Sequence, residues 1–275
     1  MSYKINTLVQ SDKDVAQYEK RLSICLTPNG FSFSVSDILD QLLVIGQAEC
    51  NLQAPIAELM ADIKGVLGEA QIYPYGLKET ELITISNQFV WIPQHLYDDS
   101  MQRTYLETLC KIQPTYSIHT DYNKDIKANI VFSADNNIVS AFKIVLPGIK
   151  IRCQHSKMVN SIVLENSDQK SMILIEMRGK ESDFTVVCNK KLLLSNTYDC
   201  ANIDETIFYA LSLTKQLHLE DSRMMVALCG DVDRDVFSTF RHYFDSVVLY
   251  TGRPLTLTVP EMQHIHTYQY ALVIS

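Results

Sequence analysis

The sequence predicts an α/β fold built from two copies of one unit, each a mixed sheet led by three antiparallel strands and flanked by helices. Three observations carry this reading. The order strand, strand, strand, helix, strand is spelled out twice along the chain. The 275 residues correspond to about two units at roughly 150 residues per domain. The composition, 47% hydrophobic and 20% charged with nine Gly and eight Pro, is that of a globular protein. The polar stretch from Asn166 to Lys170 divides the copies, giving a first domain over 1–167 and a second over 168–275.

Met1 to Asp14 alternates polar and apolar residues, and Ser11, Asp12, Lys13 and Asp14 break any apolar core, so no export signal is read there. From Arg21 to Ser36, RLSICLTPNGFSFSVS holds two alternating stretches around Pro28, Asn29 and Gly30, which predicts a β-hairpin. Gln41 to Ala48 is the third strand. Pro55 opens a helix on which Ile56, Leu59, Met60, Ile63 and Leu67 recur at three- and four-residue spacing. Leu82 to Ile92 reads as a buried strand with its continuation, and Gln94 to Ile112 as helical in whole or part, with Leu106 and Leu109 inward. Pro114 to Lys127 carries no clear pattern. A short strand at Ile130 to Ser133, a helix from Asn137 to Leu146 stopped by Pro147 and Gly148, a strand from Lys150 to Gln154 and a helix from Ser156 complete the first half.

The second half restarts at Ser171 to Ile175, turns over Arg178 to Asp183, returns at Phe184 to Cys188, turns at Asn189 and Lys190, and forms a third strand from Lys191 to Tyr198. Ile203, Ile207, Ala210, Leu211 and Thr214 then mark a helix, and Met224 to Cys229 is an apolar strand leading into Gly230.

This duplicated pattern resembles the actin-like ATPase superfamily, a doubled ribonuclease-H-like fold. LIEMRGKESDFTV, from Leu174 to Val186, is similar to the second phosphate-loop hairpin of the bacterial actin homologues of pilus assembly and cell division. NKKLLLSNTYDCANIDETIFYAL, from Asn189 to Leu211, resembles their next turn, strand and helix, and LSICLTPNGFSFSV, from Leu22 to Val35, their first hairpin. The resemblance is strongest over residues 171 to 250 and extends to an uncharacterised Bacteroidetes family of actin-like fold.

The resemblance implies a nucleotide cleft, and the residues depart from it. The metal-binding aspartate position of the first loop holds Cys25, followed by Thr27 and Pro28, and a thiol is a poor ligand for magnesium. In the second loop the aspartate position is Glu176 and the glycine position Arg178. The double glycine ahead of the adenosine loop is matched by Gly230 alone. The expected reading is therefore a non-catalytic protein that binds a protein partner or small ligand at the interdomain cleft, with no cofactor. Thr27, Asn29, Glu176, Arg178, Lys180, Gly230 and Asp231 are the candidate ligand residues. The alternative is an ATP-binding member in which Glu176 holds magnesium through water and Arg178 or Lys180 supplies charge. A ribonuclease-H-like nuclease would need carboxylates gathered at strand ends, against which Cys25 argues.

Other features are read more plainly. Neither a P-loop nor a dinucleotide fingerprint occurs. Asp231, Asp233 and Asp235 fail as a calcium loop and are expected to cap the helix that follows. His264 and His266 would share a face only on a strand, and Cys153 with His155 lacks an orienting third group, so no metal or nucleophile site is assigned. Lys143, Lys150, Arg152 and Lys157 form one basic group, and Arg178, Lys180, Lys190 and Lys191 a second. With a net charge of −8 these are read as solvated faces, and nucleic acid is not an expected partner. Seven scattered cysteines without a C-x-x-C pair, and no apolar run near twenty residues, point to a cytoplasmic protein without a membrane span.

Overall fold

The structure, a computed structural model, describes residues 2–11, 19–165, 171–219 and 224–274, and side chains at 164–165 are not described. The domain boundary read between residues 167 and 168 lies outside the described residues. In the first half β1 (Lys4–Gln10) is followed by β2 (Lys20–Thr27), β3 (Gly30–Asp37), β4 (Gln41–Glu49), α1 (Ile56–Glu69) and β5 (Leu77–Thr84). Next come β6 (Phe89–Pro93), α2 (Gln102–Glu107), β7 (Tyr116–Asn123), β8 (Ala128–Asp135), α3 (Asn136–Val145), β9 (Lys150–Cys153) and α4 (Gln154–Glu165). The second half holds β10 (Ser171–Arg178), β11 (Glu181–Cys188), β12 (Lys191–Asp199), α5 (Ile203–Gln216), β13 (Met225–Gly230), α6 (Arg234–Tyr243) and β14 (Val247–Leu249). β15 (Thr256–Leu257), two 3-10 turns and α7 (Ala271–Ile274) end the described chain.

The first sheet runs β1-β4-β3-β2-β5-β9 and the second β12-β11-β10-β13-β14. Without β1, both read third, second, first, fourth, fifth strand, with the first three antiparallel and the later ones parallel, so the repeated pattern in the sequence is a repeated topology. Strand alternation sets the layers. Leu22, Ile24 and Leu26 stand opposite Val35, Phe33 and Phe31, and this face packs on α1 and α3 through Leu59, Ile63, Val66 and Phe142. Phe31 meets Phe142 edge to face, with centroids 5.5 Å apart. In the second sheet Ile173, Ile175, Phe184 and Val186 pack in the same way on α5 and α6. The inner faces share one core: Ile45 and Ile83 from the first sheet and Leu174, Val187 and Ala227 from the second enclose Met158, Val159 and Ile162 of α4 with Leu272 and Val273 of α7.

Local chemistry explains the ends. Asp135 caps α3 by accepting from the backbone N–H of Asn137, and Asn202 caps α5 through Glu205. Of the acidic run read as capping α6 only Asp233 does so, through Val236 at 2.7 Å, while Asp231 turns to the Gly179 N–H.

The middle of the first half departs from the sequence reading. Leu82 to Ile92 is not one strand: β5 ends at Thr84 and β6 begins at Phe89 in a separate three-stranded antiparallel sheet, ordered β6-β8-β7. The patternless Pro114–Lys127 segment contains β7, whose residues are half-buried with no clean alternation. Gln94 to Ile112 forms only short 3-10 turns and α2, and while Leu106 is buried, Leu109 is 65% exposed. The turn read over Arg178 to Asp183 is confined to Gly179 and Lys180, with both strands running up to it. Residues 260–270 are two 3-10 turns joined at Ile265 and His266, so His264 and His266 share no strand face.

Phe142→Ala, which removes the ring between α1, α3 and the first sheet, is expected to cost about 3–5 kcal/mol, read as a lower urea midpoint at an unchanged m value.

Candidate functional site

Two hairpin turns face a common space. Pro28 and Asn29 turn β2 into β3, and Gly179 and Lys180 turn β10 into β11. Gly230, ending β13, completes the rim with φ +81°, and a Cβ there would lie 2.3 Å from the carbonyl oxygen of Met177. The backbone continues in contact, as the Asp231 N–H donates to that same oxygen at 2.8 Å and the Asp231 carboxylate accepts from the Gly179 N–H at 2.9 Å. Gly230 and Asp231 therefore have local structural reasons to be present, tying the fourth strand to the second hairpin. The cavity between the hairpins has a volume of about 480 Å³, and Ser32, Gln47 and Glu49 with Tyr268 to Val273 complete its wall.

Six of the seven residues picked from sequence line this cavity: Thr27, Asn29, Glu176, Arg178, Gly230 and Asp231. Lys180 does not. It occupies the outer turn position of its hairpin and is exposed, because a two-residue turn places that side chain beyond the strand pair. Cys25, not among the candidate ligand residues, also lines the cavity, and burial pushes its thiol, like that of Cys229, far above the ordinary range, so neither supplies a thiolate.

The floor is a buried charge cluster. Arg178 grips Asp183 with two parallel bonds, Nε to Oδ2 at 3.0 Å and Nη2 to Oδ1 at 2.8 Å, and also reaches Glu181 at 3.2 Å. Thr197 donates to Asp183 Oδ1 at 2.5 Å, which leaves its oxygen to accept from His155 Nε2 at 3.0 Å. His155 Nδ1 then accepts from the Ser195 hydroxyl at 2.9 Å, so the ring is neutral with both nitrogens bonded. Burial accordingly depresses the His155 pKa to about 4. Burial alone would raise Asp183, but the Arg178 guanidinium, with the Thr197 hydroxyl, holds it below the usual carboxylate range.

Glu176 pairs with Asp183 across the strands, and its Oε2 accepts no hydrogen bond among the described residues. Burial and the neighbouring Asp183 push its pKa up to about 8. Burial thus favours the protonated form of Glu176 beside an Asp183 kept ionised by the guanidinium.

This donor set does not fit magnesium with a nucleotide. Both oxygens of Asp183 are taken by Arg178, and among the described residues no three His, Cys, Asp or Glu side chains gather as a metal site. His155, Ser195 and Thr197 were not read as part of a site. Their partners lie 40 and 42 residues apart in sequence, and no spacing rule links the start of a helix to a strand that distant.

Two sheets of the same strand order, with hairpin turns facing each other over a helical layer, define the actin-like ATPase fold. The chain belongs to the DUF3822 family, described as a protein of unknown function, whose model matches residues 10–247. A Bacteroides thetaiotaomicron protein with actin-like ATPase fold and unknown function is similar over 94% of this chain and 96% of its own, with a TM-score of 0.71 and 19% identity. The PilM-PilN type IV pilus biogenesis complex contains a chain similar over 92% and 96%, with a TM-score of 0.55 and 12% identity. No curated protein matches the sequence. At these identities the structural likeness establishes the fold. No helix among the described residues is long and apolar enough to cross a membrane.

Because the folded pKa of Glu176 lies above its unfolded value near 4.5, its contribution to stability is complete below that value and is lost as pH rises through 8. Glu176→Gln keeps a donor toward Asp183 without titrating. Thermal denaturation should show the variant within a degree or so of wild type at pH 5 and several degrees more stable at pH 8 to 9.

Arg178→Ala leaves Asp183 buried without its cation. Its expected cost is about 3–5 kcal/mol in urea unfolding at pH 7.

Proposed function

We propose that this chain is a non-hydrolysing member of the actin-like fold whose interdomain cleft binds a partner segment or a small ligand rather than ATP. The single observation that supports it most is Arg178, locked to Asp183 where a phosphate loop needs open backbone. A cavity of about 480 Å³ remains in front of that cluster, offering Thr27, Asn29, Ser32 and Gln269 as neutral hydrogen-bonding groups and Glu49 and Asp231 as carboxylates. Such a wall suits a ligand rich in hydrogen-bond donors and opposes a triphosphate, whose charge would meet carboxylates at the rim. That the PilM chain of the similar complex assembles with PilN makes a protein partner a natural occupant.

Calorimetric titration with ATP, with and without magnesium and at two temperatures, should show no saturable heat. Saturable, magnesium-dependent binding at micromolar affinity would overturn the proposal. With ATP excluded, filling the cavity by Asn29→Trp should abolish association with whatever partner the native protein captures, while leaving the urea midpoint unchanged.

A further inference from the structure

At the opposite end of the first sheet lies a second pocket, of about 290 Å³, on the inner face of β2, β5 and β9. It is lined by five cations, Arg21, Lys150, Arg152, Lys157 and Arg253. Three of them belong to the basic group read in the sequence as a solvated face. Lys143, the fourth of that group, sits on α3 against the other face of the sheet and takes no part.

The carboxylates around the pocket are already engaged. Glu81 accepts from Lys157 at 2.8 Å and from Ser23 at 2.7 Å, with Arg152 at 3.8 Å, and these partners hold it below the ordinary carboxylate range against the effect of burial. Arg152 is ion-paired with Asp121, which also accepts from Ser156 at 2.5 Å. A single oxygen, Asp40 Oδ1, serves both Arg21 and Arg253 at 3.2 Å each, and Glu79 stands 3.7 Å from Arg21. Among the described residues, five cations therefore meet four carboxylates, in a protein whose net charge is −8. Two donors are left over. Among the described residues, Arg253 Nε is buried with no hydrogen-bond partner although the side chain as a whole is 38% exposed, and Lys150 is exposed at the rim with no ion pair. A buried guanidinium N–H without an acceptor is costly unless something supplies one.

We infer that this pocket is an oxyanion site that takes the phosphate group of a small phosphomonoester. The phosphate oxygens accept from Arg253 Nε–H and the Lys150 ammonium, and Arg21 adds charge. Leu255, Val273 and Ile274 form the apolar side of the pocket, and with its volume they leave room for a small organic group beyond the phosphate. The site is separate from the cleft and does not depend on the function proposed for it.

The test titrates the intact protein with inorganic phosphate and with glucose 6-phosphate, using glucose and sodium chloride at matched ionic strength as controls. Saturable binding of both anions, with a rise in melting temperature absent in both controls, is expected. Lys150→Gln, at an exposed position that disturbs no pairing, and Arg253→Gln should each weaken binding about 10- to 100-fold, as loss of a charged hydrogen bond does. Asn29→Trp in the cleft should leave it unchanged. Equal shifts from phosphate and chloride, or undiminished affinity in the Lys150→Gln/Arg253→Gln double variant, would overturn the assignment. Tighter binding of glucose 6-phosphate than of inorganic phosphate marks the ester as the ligand, whereas equal affinity would overturn the phosphomonoester assignment in favour of free phosphate.

Discussion

Both sheets bury their inner faces against the same two helices, and the rest of the molecule follows from that shared layer. Each sheet has a second face covered by its own helices, so the order of layers is helix, sheet, helix, sheet, helix. A layer shared in this way must match two surfaces at once, and α4 does so with apolar residues toward both and His155 at its first turn. That histidine is fully buried beside Phe89, with ring centroids 4.0 Å apart, and is satisfied only by hydroxyls on the other sheet. The helix from one half is thus fixed in register against a strand of the other by directional bonds, where apolar packing alone would tolerate sliding.

Where the helical layer ends, the sheets part and the cleft begins, and its chemistry is set by how few charges can be held there out of water. A lone buried carboxylate is untenable, and two opposite each other on neighbouring strands are worse. The cluster resolves this with one guanidinium and one retained proton: Asp183 takes the guanidinium and Glu176 the proton. The same solution commits both oxygens of Asp183 to Arg178.

The strand order of both halves could be read because each element carries its own signal: alternation in Leu22–Leu26 and Phe31–Val35, turn residues at Pro28–Asn29, and helical spacing after Pro55. Of the six cavity residues, Thr27 and Asn29 sit at or beside the Pro28–Asn29 turn, whereas Glu176, Arg178 and Gly230 were picked from the resemblance to phosphate-loop positions, and Gly230 and Asp231 lie at the end of a strand rather than in a hairpin. The small inserted sheet was not legible, since β7 is half-buried along most of its length and alternation fades when both faces see a mixture of protein and solvent. The partnership of His155 with Ser195 and Thr197 was hidden for another reason. It is created by packing between halves, and residue type alone gives the histidine no partner. The basic group Lys150, Arg152 and Lys157 was visible as charge, but its concave setting depends on Arg21 and Arg253 arriving from distant segments.

β15 lies parallel to β4, continuing the edge that β1 begins, and Thr258 and Val273 bond to Leu42 and Ser34 across 216 and 239 residues. At translation rates of about 5–20 residues per second, the first sheet stays without its closing strand on the order of ten to forty seconds after β4 is made. For about the first half of that time the inner faces of β2 to β4 lack α4, and throughout it they lack α7, so Leu42 and Ile45 are incompletely covered. A nascent chain of this design has to be kept from pairing with its neighbours until its last segment emerges, which makes its yield in the cell a matter of timing and chaperone supply as much as of final stability.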